Sequence, residues 1–192
     1  MSRRVAIILG HPDSTSFCGA LADAYATAAR EAGHDVSVHR LGNLQFDPIL
    51  HHGYARIQPL EPDLLGVQQA ITDADRVVFV YPTWWGSMPA LLQGFFERAF
   101  LPGYAFRYRK DSSLWDRLLS GRSARVITTM DTPPWYYRWI FRQPGHQQIR
   151  RTILEFCGIR PVHVAAFGPV RNSSDAQRAT WLERTRLMGR TD

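Results

Sequence analysis

The run "DRVVFVYP" at residues 75–82 constrains the fold more than any other part of the chain. It is apolar without interruption from Val77 to Tyr81. A strand with that pattern is buried on both faces, as in a parallel sheet covered by helices on each side. Further strands read from "RVAIIL", "DVSVHRL", "ARVITTM" and "PVHVAAFG". In "DVSVHRL", Val36 and Val38 alternate with Ser37 and His39, which suits an edge strand. Helical patterns separate these runs. Phe17, Leu21, Ala24, Tyr25, Ala28 and Ala32 share one spacing that ends at Gly33, and Leu64, Gln68, Ile71 and Ala74 mark a second helix. Others fall near residues 89–100 and 146–157, the latter stopping at Gly158. Ser174 and Gln177 form a possible capping box for the last. Five strands alternating with helices predict an α/β three-layer sandwich with a parallel sheet in the order 2-1-3-4-5. Neither a repeat nor a composition shift divides residues 1–192, which read as one domain.

Composition narrows the function classes. No apolar run is long enough to cross a bilayer. The opening "MSRRVAIILGHPD" lacks the apolar length and cleavage site of a signal peptide, so a cytoplasmic protein is expected. Cys18 and Cys157 have no metal spacing and fit a reducing compartment. His51 and His52 are adjacent without Cys or carboxylate partners, and His39 and His163 lie on predicted strands, so no metal site is expected. The net charge of +6 comes almost wholly from arginine; Lys110 is the only lysine. That balance suits nucleic acid, a membrane surface, an anionic small molecule or simply a solvated surface, and no tight basic run appears.

In a doubly wound sheet, ligands bind beyond the carboxyl ends of the strands. The loops at 10–17, 82–88 and 130–145 are therefore the candidate site. The first, "GHPDSTSF", has neither a dinucleotide fingerprint nor a phosphate-loop lysine. Its Ser14, Thr15 and Ser16 stand just before a helix, where they either cap it or help its amides hold a phosphate. The second, "YPTWWGSMP", places Trp84 and Trp85 in a loop. The two rings either flank a flat ligand or serve as core or subunit surface, and Gly86 lets backbone come close. After Pro89, apolar residues Leu91, Leu92, Phe95, Phe96, Ala99 and Phe100 cover more than one helix face, as in a buried helix or an interface.

"GHPDSTSF", "YPTWWGSMPALLQGFFERAF" and "EFCGI" together resemble the flavodoxin-like NAD(P)H:quinone oxidoreductases of the DT-diaphorase type. That group includes bacterial quinone reductases and flavoprotein partners of potassium-efflux systems. The resemblance runs over roughly the whole chain. It implies a bound flavin, two-electron transfer from NAD(P)H, and a homodimer with sites at the interface. It assigns His11, Thr15, Ser16, Phe17 and Cys18 to the flavin's phosphate side, and Pro82, Thr83, Trp84, Trp85 and Gly86 to the isoalloxazine. It matches Phe106 and Tyr108 to aromatics that reach a partner's pocket. Cys18 and the lack of a long extension lean toward FMN, with FAD as the other choice.

The chain departs from the family after the fourth strand, where Met130, Asp131 and Thr132 stand in place of a glycine pair. Tyr136, Tyr137 and His146 are the candidates for the tyrosine and histidine that polarise flavin in some relatives. Trp135 and Tyr136 follow two prolines and are placed to roof the substrate cavity, unless the aromatic segment is a packed lid or a dimer contact. Arg138, Arg142, Arg150 and Arg151 either hold the extra phosphate of NADPH or form a solvated helix face. The expected function is ping-pong hydride transfer from NAD(P)H to a quinone or similar acceptor. The alternative is a regulatory or electron-transfer flavoprotein with little turnover.

Overall fold

The computed structural model describes residues 2–192. β1 (Arg4–Leu9), β2 (Asp35–Arg40), β3 (Arg76–Pro82), β6 (Ser123–Thr129) and β7 (Val162–Phe167) form one parallel sheet in the order β2-β1-β3-β6-β7. Counting sheet strands alone, this is the expected order 2-1-3-4-5. The numbering grows because β4 (Phe106–Tyr108) and β5 (Trp115–Arg117) make a separate antiparallel hairpin that the sequence pattern did not reveal.

The unbroken apolar run of β3 is explained by its two faces. Val77, Phe79 and Tyr81 join a core under α2 (Pro62–Asp73) and α3 (Ala90–Ala99). Val78 and Val80 join a second core under α1 (Phe17–Glu31) and α7 (Asp175–Thr191). β2 alternates exposed with half-buried residues over its first four positions, as an edge strand should. Ser174 caps α7 by accepting the Gln177 N–H at 3.2 Å. Gly33 and Gly158 follow the helices they were expected to end.

Two elements differ from expectation. Residues 134–139, read as loop, form the short helix α4 (Pro134–Trp139). The helix expected from residue 146 begins at Pro144 and is α5 (Pro144–Gln147), a π-helical stretch (Gln148–Leu154) and α6 (Glu155–Cys157). The apolar excess of α3 is also absorbed within the chain. Phe95, Phe96 and Phe100 pack edge-on together, with Tyr104 against Phe100. The loop between β2 and α2 closes over the helix because the fully buried Arg98 bonds the carbonyls of Asp47 and Pro59 and the Glu61 carboxylate. The surplus therefore does not itself require a second subunit.

Candidate functional site

β1, β3 and β6 end side by side at Leu9, Pro82 and Thr129, so the loops after them converge. They enclose two cavities that share Thr83 and Asp131. The first, about 200 Å³, lies between His11, Ser16, Phe17, Cys18, Pro82, Trp84, Thr129, Met130 and Val170. The second, about 530 Å³, is bounded by Trp85, Gly86, Thr132, Tyr137, Phe141 and Pro144.

The tryptophan pair is set by its turn. Trp84 and Ser87 exchange both backbone hydrogen bonds at 2.9 Å, leaving Trp85 and Gly86 as a two-residue tip. Both have positive φ, 51° and 77°. This is the primed hairpin turn, in which glycine is at ease and tryptophan is strained. The strain is held from behind. The Tyr137 hydroxyl donates to the Gly86 carbonyl at 2.8 Å and accepts the Gly145 N–H at 3.0 Å. Gly145 packs so closely that a Cβ there would lie 2.8 Å from the Gly86 oxygen. Trp85 consequently stands fully exposed at the mouth, while Trp84 leans edge-on against His11 at 5.5 Å.

The first loop is largely bonded to itself. Asp13 accepts both the Thr15 hydroxyl at 2.7 Å and the Thr15 amide at 2.8 Å, and these bonds hold its carboxyl below the usual range. Thr15 therefore has no proton left for an anion. Ser16 caps α1 by accepting the Gly19 N–H, which leaves its own O–H free. The Phe17 and Cys18 amides have no helical acceptor, as in any first turn. His11 accepts the Asp13 amide on Nδ1 at 2.9 Å, so Nε2 carries the ring proton toward the cavity. Cys18 touches Thr129 at 3.2 Å, and burial pushes its thiol up to about 12. It acts as a small neutral wall.

On the opposite side, Asp131 accepts the Arg171 backbone N–H at 2.8 Å. Its carboxylate is thus drawn toward the loop after β7 and is paired with neither Arg138 nor Arg142. Met130 is buried, donates its backbone N–H to the Phe167 carbonyl at the end of β7 and accepts the Val170 N–H from that loop. The Thr83 amide donates to the Thr129 carbonyl, but the Thr83 hydroxyl is buried without a partner. A buried hydroxyl normally has one; the Tyr81 hydroxyl also lacks one, but Thr83 lines both cavities, so its hydroxyl is left available to a ligand there.

The catalytic candidates fare differently. Tyr137 is buried with its hydroxyl committed in both directions. His146 lies behind it, edge-on at 4.9 Å, bonded to Thr128 at 3.1 Å. Burial lowers its pKa to about 4, so it is neutral near pH 7. Neither presents a proton to the second cavity; both are supports of its wall. Tyr136 and Trp135 lie on the outer face of α4 and contact one another, with Phe141 against Tyr136. Phe106 packs into its own core against Phe156 at 5.1 Å, whereas Tyr108 is exposed on the hairpin. The pair is thus not brought to this chain's own cleft. Phe141, Pro144, Thr129 and Val170 line the cavities without having been singled out. Thr129 and Val170 follow from the rule already used, since Thr129 ends β6 and Val170 lies in the loop just past β7.

Residues 3–187 match the family model described as "Flavodoxin-like fold", and the chain belongs to that family. It is 32% identical over 127 residues to NAD(P)H dehydrogenase [quinone] 1 of Cavia porcellus, a match that takes in 55% of this chain and only 46% of that protein. It is 28% identical to an uncharacterized NAD(P)H oxidoreductase of Haemophilus influenzae, covering 92% of this chain and 89% of that one. The NAD(P)H:quinone oxidoreductase structure from Methanothermobacter marburgensis superposes with a TM-score of 0.82 at 25% identity, over 100% of this chain and 99% of that one.

Proposed function

We propose that this member of the flavodoxin-like family is a flavin-dependent oxidoreductase that moves hydride from NAD(P)H to a quinone or a related acceptor. The observation that carries the reading is the partnerless Thr83 hydroxyl, buried where the two cavities meet. FMN fits the residues present. The Ser16 hydroxyl, the first amides of α1 and His11 Nε2 are donors grouped at one end, as a phosphate requires. That end is a cavity of about 200 Å³, which takes one phosphate and a ribityl chain. Thr83 would bond the ring system, and Trp84, Trp85 and Gly86 would border it.

Bound there, the flavin supplies the hydride relay between donor and acceptor. The chain's own part is placement. Tyr137 and Gly145 hold the tryptophan turn. Trp85 and Phe141 provide apolar walls for a flat ring entering the second cavity. Asp131 lines both cavities, and the Arg171 amide that donates to its Oδ1 offsets part of the charge that would oppose electron density on the ring. The Tyr137 proton is engaged with the Gly86 carbonyl and neutral His146 lies buried behind it, so the proton that accompanies reduction of the acceptor would come from water at the open mouth. Donor and acceptor would use one place in turn, so double-reciprocal plots should be parallel.

We further infer one flavin-binding unit acting as a homodimer, with the exposed Tyr108 of the hairpin available to a second copy. A cytoplasmic setting suits the two buried free thiols, Cys18 and Cys157. Among the described residues, no helix is long and apolar enough to cross a membrane.

The test is direct. Denatured protein should release FMN by mass, and the loaded protein should oxidise NAD(P)H only when quinone is added. Thr83→Val should weaken flavin binding about fivefold to tenfold by removing one hydrogen bond. Protein that neither retains flavin nor binds it on reconstitution overturns the reading.

A further inference from the structure

The outer edge of the sheet carries a cleft of about 520 Å³ that shares no lining residue with either cavity of the candidate site. Its floor is β7, which has a neighbouring strand only on its β6 side. The Ala124 N–H donates to the Pro161 carbonyl, and the Met130 N–H to the Phe167 carbonyl. Backbone direction alternates along a strand. Val162, Val164 and Ala166 therefore turn their N–H and C=O groups the other way, off the sheet and toward the cleft they line. Among the described residues these groups meet no partner.

Sheet edges are usually guarded by charge, by proline or by a cover. At the opposite edge β2 has such a guard, since Arg30 donates to the Val36 carbonyl at 3.0 Å. From Val162 to Phe167, β7 has no Lys, Arg, Asp, Glu or Pro. The π-helical stretch above it leaves it open as well. Arg150 and Arg151 of that stretch are exposed and form the far wall of the cleft, with Arg138 beside them.

Charge selects the occupant. Arg150 is paired with Glu155 at 2.9 Å, but Arg138 and Arg151 have no salt-bridge partner among the described residues. A second copy pairing through its own β7 would bring these arginines no carboxylate from that strand. We propose that the β7 edge receives an extended acidic segment of another protein as a sixth strand of the sheet. The segment's main chain bonds Val162, Val164 and Ala166, and its carboxylates, on alternate residues, face Arg138 and Arg151. This docking does not depend on the quinone reading.

The probe is a fluorescein-labelled peptide of alternating glutamate and threonine, as long as β7, titrated with the full chain and read by anisotropy. Binding is expected, and a lysine–threonine peptide of the same length should not bind. N-methylation of one alternate set of peptide residues should weaken binding about tenfold or more, because it removes the donors that face β7. Methylation of the other set should leave binding intact. Val164→Pro removes an outward N–H and no ladder bond, so the fold should survive while binding falls about tenfold. Arg138→Gln with Arg151→Gln should weaken it about fivefold. No binding at millimolar peptide overturns the proposal. So does binding that both methylated peptides retain, which would make the cleft a site for any anion. If Val164→Pro lowers the oligomeric state in sedimentation, β7 pairs with a second copy and the proposal falls. If that variant does not fold, the two methylated peptides on the native chain decide alone.

Discussion

The two ends of the sheet treat polar and charged groups in opposite ways. At the amino ends of β3 and β6, Arg76 and Arg125 are largely buried and converge on Asp192, which also accepts the Tyr25 hydroxyl at 3.1 Å. Arg76 Nη1 lies 3.0 Å from the carboxylate, a charge contact whose angle falls short of a hydrogen bond, and its Nε also has no hydrogen-bond partner, so charge rather than hydrogen bonding ties Arg76 to Asp192. Burial pushes the Asp192 carboxyl up, but the Arg125 hydrogen bond and both arginine charges outweigh it and the pKa ends below normal. At the carboxyl ends the reverse holds. The Thr83 hydroxyl is buried and alone, aromatic rings face water, and Arg138 and Arg142 stand without an acidic partner. Charges that hold the fold are paired inside the chain; groups that await a ligand are not.

The strongest way to break this contrast is Asp192→Asn. It leaves two buried guanidinium groups facing a neutral amide, and removing one partner of a buried pair costs about 3–5 kcal/mol. Urea midpoints should fall accordingly, with flavin affinity in the surviving folded protein unchanged. A loss under about 1 kcal/mol would show that the lower cluster is not what holds that end.

His146 tests the boundary between the two ends, since it is buried behind the site wall. Its folded pKa of about 4 lies below the ordinary histidine value of 6.5, so the unfolded chain binds more protons between those limits. Stability should therefore be fully present above about pH 6.5 and decline as pH falls toward 4, by roughly 3 kcal/mol in all. Thermal unfolding of the native protein and His146→Gln, compared at several pH values, reads this out: the variant should lack that share of the decline. Equal slopes would mean that His146 is open to solvent.

Next in size is Gly145→Ala. The added Cβ meets the Gly86 oxygen and the Ser87 Cα at 2.8 Å, both backbone atoms. Overpacking of this kind costs about 1–3 kcal/mol. Because the clash falls on the tryptophan turn, flavin retention should drop along with stability. Unchanged retention with lowered stability would separate the turn from the cofactor cradle.

How much of this was legible depended on the range of the interaction. The sheet order followed from β3 being apolar throughout and β2 alternating, because burial on two faces or one is written into adjacent residues. The converging loops followed from topology. The turn at Trp85 was not legible, because tryptophan is unfavourable at positive φ and the support from Tyr137 and Gly145 comes from 50 or more residues away. For the same reason the sequence offered Tyr137 and His146 as reacting groups. Nothing local reveals that one hydroxyl is doubly bonded and the other ring buried. Thr15 was misleading in another way, since Asp13 two residues earlier takes its proton.

The smallest expected effect is the sharpest test of the comparison. Arg138→Gln with Arg142→Gln removes two positive charges, as many as Asp192→Asn leaves buried and unpaired. Yet both side chains are exposed and neither has a salt-bridge partner among the described residues. Surface substitutions away from buried networks change stability by about 0.5 kcal/mol or less. The Arg138 contact with Trp139 adds a cation–π term of only about 0.5–1 kcal/mol at an exposed site. Urea midpoints of the double variant should therefore stay within about 1 kcal/mol of the parent. A loss of several kcal/mol would mean that these arginines are structural like those at the other end, and that the upper end of the sheet is held by charge after all.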